Sequence, residues 1–399
     1  MKILVISQYF YPENLRINDL VFSLKQRGHQ VEVLTAKPNY PKGAYYDGYS
    51  FKKKSFELIN GVPIHRSNIF LRGKGGGIRL FLNYISFVFF GYFKLLRLKG
   101  SFNKVFVYAP SPITVGFLGI LAAKKFKCKS YLWIHDLWPE SVKVAGGINN
   151  KLILSVIDYM TRLIYKKTAV LLIQSPFFKK YLQSQKVNLD KVIYYPYYAE
   201  EFYKPVIPSQ HIKNKFPKGF NLLFAGNIGA AQSFDTIVDA INLIKNENIN
   251  IIILGNGRDK IRVELKIKDL GLMDKFYFLV SHPPESMSAY FGAADALLIT
   301  LKKAPIFSYT IPGKLQSYLA CGRPIIGALD GIGKNIIDDS NAGLSSKAED
   351  FEALAKNILL MSRTSEEDRF SYSQNGLAYF ERYFNKEKLL AELEEILKS

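Results

Sequence analysis

The segment Trp133–Ser141 (WIHDLWPES) packs His135, Asp136 and Glu140 into six residues. An imidazole and two carboxylates this close can move protons or orient hydroxyl groups, provided their pKa values lie near neutrality. A lone histidine usually satisfies a structural role, but a His-Asp-Glu group in a loop after a strand is a candidate site. Gly226–Gly229 (GNIG) follows the apolar run Leu222–Ala225, and a helix is expected near Ser233. Bare backbone at Gly226, Asn227 and Gly229 could approach a phosphate, or could simply form a tight turn. Gly255-Asn256-Gly257-Arg258 also follows a strand-like run. Arg258 there could grip a diphosphate with two parallel hydrogen bonds, or sit exposed at a helix start. In Ile311–Pro324 (IPGKLQSYLACGRP), Pro312 suits the first helical position and Gly313 and Lys314 fall in the first turn. A cation at the positive end of a helix is unfavourable unless an anion joins it, so Lys314 points to an anionic ligand. Near the first strand, Asn14, Arg16 and Asn18 offer donors and acceptors at a helix start, while Glu13 and Asp19 read equally well as caps.

Several signatures are missing. No Asp-x-Asp occurs, no GxGxxG follows the first strand, and there is no P-loop. The two cysteines, Cys128 and Cys321, have no partner at metal or redox spacing, so neither a disulfide framework nor a metal site is expected.

Short apolar strands alternate with helical periodicity along the whole chain. Lys2–Ser7, Val31–Thr35, Val105–Tyr108, Ser130–Ile134 and Val170–Ile173 form a first series. The pattern breaks at Tyr194–Pro205 and resumes with Leu222–Ala225, Ile249–Leu254, Phe276–Val280, Ala296–Thr300 and Pro324–Gly327. This alternation predicts α/β architecture: two doubly wound, Rossmann-like parallel-sheet domains facing a cleft. The expected division is 1–200, 201–375, and a helical segment 376–399.

All of the net charge lies in the first half. Residues 1–200 hold 30 Lys and Arg against 10 Asp and Glu, whereas residues 201–399 hold 24 of each. Within the basic half, Leu80–Phe93 (LFLNYISFVFFGYF) is an aromatic run of 14 residues without a charge, short of the ~20 needed to span a bilayer. Arg72, Lys74, Arg79, Lys94, Arg97, Lys99 and Lys104 flank it. Basic charge beside exposed aromatics suits an anionic membrane surface better than nucleic acid, which requires no uncharged aromatic block. The competing reading makes this stretch a core helix covered on all sides. Gln8 interrupts the N-terminal apolar run, which reads as a buried strand rather than a signal peptide. A cytoplasmic protein lying peripherally on the inner membrane is the expectation.

Taken together, KILVISQYFYPEN, WIHDLWPES, FAGNIGAAQ and IPGKLQSYLACGRPII resemble the WbuB-like branch of glycosyltransferase family 4 over essentially the whole chain. The resemblance implies a GT-B fold, with a nucleotide-sugar donor on the C-terminal domain and an acceptor on the N-terminal one. It also implies a role in bacterial surface polysaccharide such as O-antigen or capsule, and a retaining reaction. The missing Asp-x-Asp, with Lys314 and Arg258 as alternative cations, leads to the expectation of a metal-independent reaction needing no cofactor. His135 matches the branch's histidine near the reacting sugar, Gly226–Gly229 the loop under the diphosphate, and Val280–Glu285, with His282, the segment lining the base. One departure is clear: where relatives carry two glutamates with seven residues between them, this chain has Tyr309 and Ser317. The donor sugar therefore cannot be copied from better-known members. The expected activity is transfer of a sugar, N-acetyl-L-fucosamine or a related amino-deoxy sugar, from a UDP-sugar to a polyprenyl-diphosphate-linked saccharide. A UDP-sugar 2-epimerase, or a non-enzymatic protein binding anionic lipid or nucleic acid, is the alternative.

Overall fold

The computed structural model describes residues 1–73, 76–146 and 148–399. Lys74, one of the expected flanking cations, lies outside the described residues. The chain divides into two compact units, Met1–Pro196 with Leu390–Ser399, and Tyr197–Leu389.

In the first unit the strands are β1 (Lys2–Ser7), β2 (Gln30–Ala36), β3 (Phe56–Ile59), β4 (Val62–Ser67), β5 (Lys104–Ala109), β6 (Lys129–Ile134), β7 (Val170–Ile173) and β8 (Val192–Tyr194). They form one sheet in the order β3-β4-β2-β1-β5-β6-β7-β8. All pairs are parallel except β3–β4, an antiparallel hairpin. That hairpin turns at Asn60 (φ 48°) and Gly61 (φ 72°), the left-handed pair that an Asn-Gly turn supplies. The strand order reverses between β1 and β5, so the loops after these strands open at a topological switch point.

The second unit holds β9 (Phe220–Ala225), β10 (Ile249–Leu254), β11 (Phe276–Leu279), β12 (Ala296–Thr300), β13 (Ile325–Ala328) and β14 (Gly343–Ser346). Their order is β11-β10-β9-β12-β13-β14, parallel throughout, with the switch between β9 and β12. Every residue of β9 and β10 is buried, as strands covered on both faces must be.

The uncharged aromatic run belongs to a helix, Gly77–Arg97, of 21 residues. It is longer than the run suggested, and by length and composition it could cross a membrane. In this fold Asn83, Ser86, Phe87, Gly91 and Leu95 turn inward. The Asn83 amide is the anchor. Its Oδ1 accepts from Gln8 Nε2 (2.9 Å), and its Nδ2 donates to the Phe70 carbonyl (2.6 Å) and Asn39 Oδ1 (3.3 Å). A buried polar network of this kind fixes the helix in one rotation about its axis.

Candidate functional site

In the second unit the loops after β9 and β10 touch backbone to backbone. Gly226 N–H donates to the Leu254 carbonyl (2.9 Å), Ile228 N–H to the Asn256 carbonyl (2.9 Å), and Asp259 N–H to the Ile228 carbonyl (3.1 Å). A Cβ at Gly255 would lie 1.8 Å from the Gly226 oxygen, so no side chain fits between the two loops. Gly226 itself has φ +128°, and a Cβ there would come within 2.7 Å of Lys314 Cε and 3.1 Å of its Nζ. The bare loop and the lysine are therefore one site.

Lys314 comes from the helix Gly313–Ala320. Pro312 is the N-cap of this helix, not its first residue as the sequence suggested, which still leaves Lys314 in the first turn. Tyr318 docks the helix under β9, its hydroxyl accepting from the Ala225 N–H (3.1 Å). The Lys314 ammonium sits 3.5 Å from the centroid of the Phe224 ring. Desolvation pulls its pKa down to about 7. The ring face gives partial compensation for lost hydration, but the amine remains a base poised for an anion. Ser317, buried, follows Lys314 by three residues on the same helical face. Tyr309 ends the short helix Pro305–Tyr309, and a Cβ at Gly331 would be 2.0 Å from the neighbouring Ser308 carbonyl oxygen. The loops after β12 and β13 thus close on each other beside Pro312. Asn227 and Gly229 continue the bare loop, and Arg258 is exposed in the adjoining one. His282, after β11, is engaged within the unit: its Nε2 is 2.7 Å from the Tyr290 hydroxyl and the two rings stack.

In the first unit His135 follows β6 and is 5% exposed. Its ring packs on Trp133 (4.4 Å between centroids) and Tyr108 (4.7 Å). Burial, and secondarily the Arg16 charge, hold its pKa well below the usual imidazole range. The neutral ring is thus the resting form. Arg16 opens the helix Arg16–Gln26 after β1, so the structure brings one acceptor-side candidate to the histidine. Burial lifts the Asp136 carboxyl to about 7. Glu140, in the helix Glu140–Gly146, instead lines a cavity of about 290 Å³ with Pro139, Lys143, Leu154, Ser155, Asp158 and Arg162. Asn14 is exposed. Asn18 is occupied by its own loop: its Oδ1 accepts from Tyr11 N–H (2.9 Å) and its Nδ2 donates to the Glu13 carbonyl (2.7 Å).

Glu13 is the residue that sequence reasoning undervalued. Fully buried, its carboxylate accepts from the N–H groups of Phe10 (3.0 Å), Asn39 (2.8 Å) and Tyr40 (2.7 Å). It joins the loops after β1 and β2 rather than capping a helix. Burial raises its pKa to about 7 against the pull of those donors. Arg72 was equally illegible. Its guanidinium donates to the Tyr9 hydroxyl and lies over the Tyr9 and Tyr40 rings.

The outer face of Gly77–Arg97 is apolar. Ile78 is 78% exposed, Phe81 60% and Phe89 57%, with Leu82, Ile85, Tyr92, Phe93 and Leu96 beside them. It is not covered on all sides. Phe90 differs from its neighbours, packing against Phe51 and Phe70. Three of the expected flanking cations are also spent internally. Arg72 is held by tyrosines, Lys94 donates to the Ser55 carbonyl (2.7 Å), and Lys104 to the Tyr131 hydroxyl (3.1 Å). Arg79, Arg97 and Lys99 remain exposed.

Two Rossmann-like doubly wound units in succession define the GT-B fold. Sucrose-phosphate synthase of Thermosynechococcus elongatus superimposes with a TM-score of 0.79 at 16% identity, covering 100% of this chain and 98% of that one. Anabaena HepE in complex with UDP gives 0.71 at 12% identity, with both chains fully covered. Residues 207–377 match the family model for glycosyl transferases group 1, so this segment is a glycosyltransferase group 1 domain. A relative in Escherichia coli (strain K12), named for glycosyl transfer in colanic acid biosynthesis (WcaI), is 23% identical over 81% of this chain and 82% of its own length.

Proposed function

We propose that this protein transfers a sugar from a UDP-sugar to a polyprenyl-diphosphate-linked saccharide, at the cytoplasmic face of the inner membrane, during bacterial surface-polysaccharide assembly. The observation that carries this reading is Lys314, desolvated over Phe224 and in contact range of the bare Gly226 loop. A departing diphosphate gathers negative charge in the transition state. An ammonium and backbone N–H groups held ready for that charge lower the barrier without reorganising. Arg258, from the adjoining loop, is the second candidate cation. His135, neutral and beside Arg16, would orient the acceptor or donor hydroxyls in the first unit. The colanic acid relative and the UDP complex of HepE support the donor class and the pathway type. N-acetyl-L-fucosamine or a related amino-deoxy sugar is the candidate donor, on the sequence resemblance to the WbuB-like branch.

With Lys314 and Arg258 available for the diphosphate, the reaction in this proposal uses no metal. The exposed aromatic face of Gly77–Arg97, with Arg79, Arg97 and Lys99, supports seating on anionic lipid and not on nucleic acid. Incubation with labelled UDP-sugars, with and without bacterial membrane lipid extract, tests the whole reading. Sugar should enter the lipid fraction only with extract present, and equally after exhaustive EDTA treatment. Free sugar or an epimer released without acceptor would favour an epimerase, and total loss with EDTA, restored by Mg²⁺, would refute metal independence.

A further inference from the structure

The helix Lys151–Lys167 is well started, because the Asn150 side chain accepts from the N–H groups of Leu152 (3.0 Å) and Ile153 (3.1 Å). Its first ten residues, KLILSVIDYM, hold seven apolar side chains, and none of the ten is buried. Leu152 is 74% exposed, Val156 62% and Tyr159 71%. Spacings of four and three residues put them in one stripe along the helix. The helix is held to its unit through Thr161, Ile164 and Tyr165, near its other end. A soluble domain normally turns such a stripe inward, so its exposure calls for a partner.

Charge identifies the partner. Lys151 begins the helix and Arg162, Lys166 and Lys167 close it, all exposed. The one acid, Asp158, is paired with Arg162 at 2.8 Å. Apolar side chains bracketed by cations match the interfacial layer of an anionic bilayer. The helix and the aromatic helix also share a neighbour. Val115–Phe126 packs between the two, Leu118 against Gly91 on one side and Gly116 against Ile164 on the other. Lys125 fastens that layer by donating to the carbonyls of Leu95, Leu96 and Leu98. Gly77–Arg97 lies on the crossover from β4 to β5, and Lys151–Lys167, after the short helix Glu140–Gly146, on the crossover from β6 to β7. Helices on such crossovers run back along the sheet, so their first turns lie toward its carboxyl edge, where the His135 and Arg16 loops open.

We propose that Lys151–Lys167 is a second lipid-seating helix, which with Gly77–Arg97 forms a two-ridge footprint on anionic membrane. The proposal deepens the membrane part of the function above and rests on it. One helix lying in an interface can roll about its own axis. Two ridges on either side of Val115–Phe126 define a plane, and so set which way the carboxyl edge of the sheet faces. That orientation would present the His135 loop to the head-group layer, where a diphosphate-linked acceptor resides.

The test compares the full-length protein with two triple variants, Leu152→Ser/Val156→Ser/Tyr159→Ser and Phe81→Ser/Phe89→Ser/Phe93→Ser. Sedimentation with phosphatidylglycerol-containing vesicles and with pure phosphatidylcholine vesicles measures binding. An environment-sensitive fluorophore on Val156→Cys, in a Cys128→Ser background, reports directly on the ridge. Weakening by about tenfold or more in each variant on anionic vesicles, with a lipid-dependent blue shift of the probe, is expected. Should the first variant fail to fold, the probe decides alone. If the wild type and first variant bind equally and the probe stays water-like, the second ridge is wrong while the aromatic helix stands. If the wild type binds neither vesicle, both readings fall. A probe shift without lipid, accompanying a dimer that the first variant dissolves, would show that a second copy covers the stripe and would overturn the proposal.

Discussion

The two units share one fold plan and use opposite means to build their open edges. In the second unit the edge is made by removing side chains. Gly226, Gly255 and Gly331 let backbone meet backbone, and one desolvated lysine, Lys314, is brought against the cleared surface. In the first unit the edge is made by adding side chains: Glu13, Arg72, Asn83 and the packed rings of Tyr9 and Tyr40 lock the loops to one another. The charge balance follows the same division, neutral in one half of the sequence and strongly basic in the other. In the proposed function, a bare, rigid cradle would suit a donor's phosphates, the same for every donor, and a surface of interlocked side chains would suit an acceptor whose sugars must be distinguished.

The largest effects should come from removing the charge or the ring at each edge. Lys314→Ala and His135→Ala should each lower transfer by about 10²–10³-fold while leaving the fold intact. Steady-state transfer and circular dichroism check this, and near-normal turnover in both variants would break the site assignment. The next contrast separates the two building methods. Gly226→Ala places a methyl at φ +128° against Lys314, and displacement of the amine by even a fraction of an ångström should lower transfer by about 10²-fold. Glu13→Ala strands three N–H donors, two of them buried and that of Tyr40 half-buried, and should instead cost about 2–4 kcal/mol of stability in chemical denaturation. An opposite pattern, with stability lost at Gly226 and only activity at Glu13, would invert the comparison.

Legibility in the sequence follows the same division. Strands of both sheets, such as Ile249–Leu254 and Val170–Ile173, stand where the apolar runs put them. The hairpin Phe56–Ser67 is hard to read as strands although its Asn60-Gly61 turn is a strong signal, because its strands alternate weakly and one is largely exposed. Glycine loops after strands are local and could be read. The roles of Glu13, which reaches Asn39 and Tyr40, and of Arg72, which reaches Tyr9, depend on contacts across the sheet. No spacing rule carries those. The aromatic run is visible as composition, but only the structure shows that Phe90 turns toward Phe51 and that Lys94 and Lys104 donate to Ser55 and Tyr131 of their own unit.

The surface contrast should give a smaller effect. Phe81→Ser/Phe89→Ser/Phe93→Ser should weaken binding to anionic vesicles by about tenfold or more, with binding also falling as salt rises. Leu243→Ser/Leu265→Ser, removing two exposed leucines of the second unit, should leave vesicle binding unchanged. Equal losses from both changes would mean that the basic unit is not the membrane-facing one.

The finest test concerns a single proton. Desolvation lowers the Lys314 pKa on folding from 10.5 to about 7, so in the free protein the amine is mostly neutral at pH 8. Between pH 7 and 10.5 the unfolded chain binds more protons at this residue than the folded one, so this group's contribution to stability rises with pH. A diphosphate reverses the preference, because it favours the charged amine. Binding of UDP at pH 8 should therefore take up nearly one proton, at Lys314, whereas at pH 6 the amine is already charged and contributes almost none. The bound phosphate also titrates near pH 6, so the decisive comparison stays at pH 8, in buffers of different ionisation enthalpy. Calorimetric heats there should vary with the buffer for the wild type. They should lose that dependence in Lys314→Arg, whose guanidinium is charged throughout. Buffer-independent heats in the wild type at pH 8 would mean that Lys314 does not meet the diphosphate, and the bare loop of the second unit would then need another cation.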